Sequence, residues 1–98
     1  MLDERELVMK IRNLGGTLTK ETLEILSENL YNHSWKVRLE ITKILKKYIQ
    51  GESNPLQEKA MEILLKLSED IHPVVRLCVF EIRRLRYLEE AMMRKKAS

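Results

Sequence analysis

The chain has 98 residues and a formal net charge of +3, with 44% hydrophobic and 34% charged residues. That is one small domain with enough apolar content for a core, and three Gly with two Pro are too few for a sheet-rich or low-complexity chain. The longest apolar run, Leu77–Phe80, is too short to span a bilayer, and a lone Cys78 and a polar, acidic start unlike a signal peptide suit a cytoplasmic setting.

Five helices are expected. The first covers 3–14. Asp3 and Glu6 form a capping-box pattern, with Leu2 and Leu7 as a staple. Leu7, Ile11 and Leu14 share one face. Gly15-Gly16 should end it through the left-handed conformation open to glycine. The second helix, 20–32, follows Thr19 as N-cap. Leu23, Leu26 and Leu30 form its apolar stripe, and Glu21, Glu24 and Glu28 an acidic one. The third, 35–50, starts after Ser34 and ends at Gly51, with Val37, Ile41, Ile44, Leu45 and Tyr48 inward. Asn54, Pro55 and Gln57 announce the fourth, 55–69, as cap, first-position proline and a side chain reaching back. Its stripe is Ala60, Met61, Leu64 and Leu67. The fifth runs from Pro73 to 93, with Val75, Val79, Ile82 and Leu85 inward and Cys78 beside them as an inert core thiol. Residues 94–98 read as a frayed basic tail.

Part of this pattern occurs twice. Glu21–Ile49 lies over Lys59–Tyr87 without a gap, with 7 identities in 29 pairs. E-I-L at Glu24–Leu26 meets E-I-L at Glu62–Leu64, and V-R-L at Val37–Leu39 meets V-R-L at Val75–Leu77. A two-helix unit with a period near 40 marks a helical solenoid.

The stretch Asp70–Arg76, D-I-H-P-V-V-R, resembles the HEAT-repeat signature through Asp70, Pro73, Val75 and Arg76. Val37 and Arg38 match in the earlier unit, where Asn32 replaces the acid and Trp35 the proline. The resemblance covers residues 17–88. It implies an all-α fold, a short right-handed α-solenoid of about two and a half helical hairpins in a single domain. Its parts would be a capping helix (1–16), one repeat (17–52) and a second (53–93). It also implies Asp–Arg contacts that link repeats. Physical chemistry assigns a task to the same residues. A cation in the first turn of a helix opposes the helix dipole, at a cost of about 0.3–1 kcal/mol. Arg38 and Arg76 therefore need an acceptor, and Asp70 can serve either one.

The small net charge conceals a segregated one. The leading helix of each hairpin is acidic and the trailing helix basic. In solenoids of the resembled kind the trailing helices line the concave surface. Lys36, Lys43, Lys46 and Lys47 on the third helix, and Arg83, Arg84, Arg86 and Tyr87 on the fifth, are thus the candidate binding residues. Arginine beside aromatics suits a carboxylate-rich protein surface and equally phosphates and bases. The sequence has no nucleophile motif, phosphate-binding loop, dinucleotide fingerprint or metal-ligand spacing. His33 and His72 fall at the two inter-helix turns, where turn or capping roles are expected, and stacked repeats could make them neighbours.

A non-catalytic module for protein–protein interaction, without a cofactor, is expected, its partner presenting an acidic surface. Sequence-nonspecific nucleic-acid binding by the same face is the alternative, and an accessory domain of an enzyme the third reading. Incompletely capped end faces, with Met92 and Met93 at one of them, admit a homo-oligomer.

Overall fold

Asp3 opens α1 (Glu4–Leu14) by accepting the Glu6 N–H at 2.8 Å, which satisfies one of the unpaired donors of the first turn. Thr19 opens α2 (Lys20–Glu28) through a full capping box. Thr22 N donates to Thr19 Oγ1 at 3.2 Å, and Thr19 N to Thr22 Oγ1 at 2.7 Å. α3 (Trp35–Ile49), α4 (Gln57–Leu67) and α5 (Pro73–Phe80) follow. The computed structural model describes residues 3–15, 18–49, 55–82, 90 and 93–95, and among these there is no strand. The protein is all-α.

Three helices are shorter than their sequence patterns. α2 stops at Glu28, where Asn29 caps it and turns its Nδ2 back to Ile25 O at 2.9 Å. α4 starts at Gln57, so Pro55 precedes the helix and does not open it. The expected contact of Gln57 with Asn54 lies outside the described residues. Gln57 Nε2 donates to Ile49 O at 3.2 Å and satisfies an end-of-helix carbonyl of α3. α5 ends at Phe80, and Ile82 N closes an i→i−3 bond to Val79 O at 3.0 Å that tightens the last turn. The expected continuation through Leu85 lies outside the described residues.

α3 is the centre of the packing. It touches α1, α4 and α5, while α2 packs on α4 and α4 on α5. The core is aliphatic: Ile11 from α1, Leu23 and Leu26 from α2, Ile41 and Leu45 from α3, Leu64 and Leu67 from α4, and Val75 and Val79 from α5. Ile49 and Ile63, outside the expected stripes, are also buried, because α3 and α4 are covered on more than one side. Leu7, Leu14 and Tyr48 are only half-buried.

Gly15, the C-cap of α1, is right-handed, with φ −70° and ψ −7°, and Gly16, the other glycine of the expected stop, lies outside the described residues. The role of Gly15 is close approach. A Cβ there would lie 2.9 Å from Ile44 Cγ1 and 3.2 Å from Ile44 Cγ2. Only glycine lets α1 end against the branched side chain of Ile44 on α3.

Candidate functional site

Two assemblies of polar residues stand out. The first is the joint before α5. Arg38 Nε donates to Asp70 Oδ2 at 2.7 Å and Nη2 to Oδ1 at 3.2 Å, a bidentate pair. The side chains are 8% and 5% exposed, so the pair is buried. Arg38 Nη1 donates to the Asn32 carbonyl, and Arg76 Nη1 to the Asp70 carbonyl at 2.6 Å. Asn32 Oδ1 accepts from Ser34 N, and Asp70 Oδ1 from His72 N, both at 2.9 Å. The turn Asn32–Arg38 and the turn Asp70–Arg76 thus carry the same two hydrogen bonds at the offset read from the sequence.

Trp35 and Pro73, the aligned residues that open α3 and α5, are exchanged for a physical reason visible on one side. The Trp35 ring stacks on His72, with centroids 4.2 Å apart and planes 8° from parallel. His72 also caps α5, its Nδ1 accepting from Val74 N at 3.2 Å. His72 thus has the capping role expected of a turn histidine and also meets Trp35, and His33 is exposed. Ser34, the expected cap of α3, donates its hydroxyl to Glu4 Oε2 at 2.9 Å and so ties α1 to α3.

The second assembly is an open groove of about 630 Å³ framed by α1, α3 and α5, with Lys43, Lys46 and Lys47 on one wall and Cys78 and Glu81 on the other. A smaller one, about 480 Å³, adjoins it between α1 and α3, with Arg5, Met9, Trp35 and Lys36 on its walls. Much of the positive charge here is already matched. Arg12 Nε meets Glu40 Oε1 at 2.9 Å, Lys46 meets Glu81 at 2.9 Å, and Lys36 meets Glu4 at 3.6 Å. Hydrogen bonds to Glu40 and Glu81, with their charges, hold Arg12 and Lys46 above their ordinary pKa values. On α2, by contrast, hydrogen bonds from the Glu21 backbone and the Thr19 side chain lower the Glu21 carboxyl. Lys43 and Lys47 are exposed and make no ion pair among the described residues.

Cys78 is not a core thiol. It is half-buried on the groove wall, and burial is the main cause that pushes its pKa up. Phe80 is exposed. Arg83, Arg84, Arg86 and Tyr87 lie outside the described residues. No group of three or more His, Cys, Asp or Glu able to hold a metal occurs among the described residues, and no described helix is long and apolar enough to cross a membrane.

The sequence places Glu40 on the face of Lys36, Lys43 and Lys47, but its helical spacing gives no sign that Arg12 and Glu81 join this surface. Their partners are 28 and 35 residues away, beyond any helical spacing. One signal was available: in the repeat alignment Lys43 falls on Glu81 and Lys36 on Val74, so the described part of α5 does not repeat the basic face of α3. No protein-family model matches this chain, and no curated protein or solved structure matches it significantly.

Proposed function

We propose that the chain is a non-catalytic, HEAT-like helical-repeat module, a short right-handed α-solenoid that binds an acidic segment of another protein in the groove between α1, α3 and α5. The observation that carries this reading is the pair Lys43 and Lys47. They stand exposed at a groove whose other cations, Arg12 and Lys46, are held by Glu40 and Glu81. The recurrence of the Asn32–Arg38 hydrogen bonds at Asp70–Arg76 supports the repeat. Matched cations stiffen the walls, and the two unmatched ammonium groups attract carboxylates and orient the incoming segment. Few free cations and acids on both walls favour a protein over a polyphosphate.

Fluorescence anisotropy with a labelled oligoglutamate peptide and a labelled DNA duplex tests this. The peptide binds, and Lys43→Glu with Lys47→Glu abolishes binding while leaving the unfolding midpoint unchanged. Unchanged binding by that double variant would sink the assignment. If instead the duplex binds, with log K falling by about 0.9 per phosphate contact against log salt, the surface reads nucleic acid.

A further inference from the structure

The two repeats differ at one chemical point. Arg38 uses its whole fork: Nη1 on the Asn32 carbonyl, Nε and Nη2 on the Asp70 carboxylate. Arg76 repeats only the first contact, Nη1 on the Asp70 carbonyl. Its Nε and Nη2 meet no carboxylate among the described residues. The surroundings differ in the same sense. Thr42, one turn beyond Arg38, is fully buried, whereas the aligned Phe80 is 63% exposed. Trp35 lies beneath His72, whereas the aligned Pro73 is exposed. The side of α3 covered by the turn of the following hairpin thus has a counterpart on α5 that is exposed at Pro73 and Phe80 and meets no such turn among the described residues.

We propose that this end face is an open repeat junction. It takes a helical hairpin of a partner protein that carries an aspartate or glutamate at the turn before its second helix. That carboxylate accepts from Nε and Nη2 of Arg76, as Asp70 accepts from Arg38. A guanidinium edge selects a planar carboxylate over a point charge or an amide. A second copy of the chain is the wrong occupant. Its Asp70 is buried on its own Arg38, and its other turn offers Asn32, an amide whose oxygen already accepts from Ser34. This surface is separate from the lysine groove; the assignment rests on the repeat reading of the fold and not on what the groove binds.

The probe is a synthetic peptide of residues 55–82, the hairpin that this protein seats on Arg38, titrated into the whole isotope-labelled chain. Binding shifts the Arg76 Nε–H resonance. Arg76→Gln and Arg76→Lys, the second keeping the charge without the fork, each weaken binding on the order of tenfold. Asp70→Asn in the peptide weakens it equally on the unaltered chain and has no further effect on the Arg76→Gln chain. The proposal falls if the peptide does not bind, or if Asp70→Asn in the peptide costs as much on the Arg76→Gln chain, which would mean that the peptide displaces the internal hairpin. An Arg76-dependent dimer of the chain alone in sedimentation equilibrium would overturn the assignment in favour of a second copy.

Discussion

The carboxylate of Asp70 closes on the guanidinium of Arg38 across 32 residues of chain, at 2.7 and 3.2 Å, with both side chains almost wholly buried. The same carboxylate also accepts from His72 N, so it holds the turn and the neighbouring helix together. In this position it ties the turn before α5 to α3.

Asp70→Asn or Arg38→Gln leaves one buried charge without its counter-ion. Each should cost about 3–5 kcal/mol, a large part of the ~5–15 kcal/mol typical of a domain. Urea unfolding followed by circular dichroism measures it. The double variant should cost less than the sum of the singles, because the second change removes a charge already stranded. Additive losses would show that the two groups do not act as a pair.

Gly15→Ala sets a methyl group 2.9 Å from Ile44 Cγ1. Overpacking at so stiff a neighbour should cost about 1–3 kcal/mol. Ile44→Ala removes both clashing carbons, so Gly15→Ala should cost markedly less in an Ile44→Ala background. Equal cost in both backgrounds would place the role of Gly15 in its backbone and not in its contact.

His72→Ala removes both a helix cap, worth about 0.5–2 kcal/mol, and a ring stack, worth about 0.5–1.5 kcal/mol. His72→Asn restores the cap alone and should recover only part of the loss. Trp35, the one tryptophan, should shift its fluorescence to the red in both variants. Unchanged emission would mean that the two rings are not in contact in solution.

Cys78 is held above its ordinary pKa of 9.0, first by burial and then by Glu81, while Lys46 and Lys43 pull it down. Alkylation by iodoacetamide at pH 8 should therefore be slower than in the unfolded chain. Lys46→Gln should slow it further and Glu81→Gln should speed it up. Lys46 is itself raised above 10.5, first by its hydrogen bond to Glu81. A raised folded-state pKa gives stability that is complete below the ordinary value and is lost as pH rises through the raised one. Both groups thus weaken the fold at alkaline pH, and in a Cys78→Ala background Lys46→Gln should flatten that decline in a pH series of unfolding midpoints.

How far the fold could be read in advance follows from the range of each interaction. Asp3, Thr19 and the apolar stripes act within a turn or two of helix, so the starts of α1 and α2 and most of the core were legible. Helix ends were less so. Gln57 leaves its own helix to satisfy Ile49 O, an event with no local signature, whereas Ile82 is buried as its place in the apolar stripe predicts, although α5 stops at Phe80. Gly15 is the clearest case: the residue marked the correct stop, but the space that Ile44 takes beside it has no local signature.

By itself the sequence determined that the chain is helical, that one residue pattern recurs along it, and that Arg38 and Arg76 both need an acceptor near Asp70. Helical periodicity, capping and the helix dipole are local, and a repeat is visible wherever it is aligned. Only the tertiary structure decided how that acceptor is divided: the carboxylate goes to Arg38 and the carbonyl to Arg76. It likewise decided which cations of the basic face are matched, because Glu40 and Glu81 come from elements 28 and 35 residues from their partners. Charge along a chain is a list, whereas charge on a surface depends on which helices the packing sets side by side.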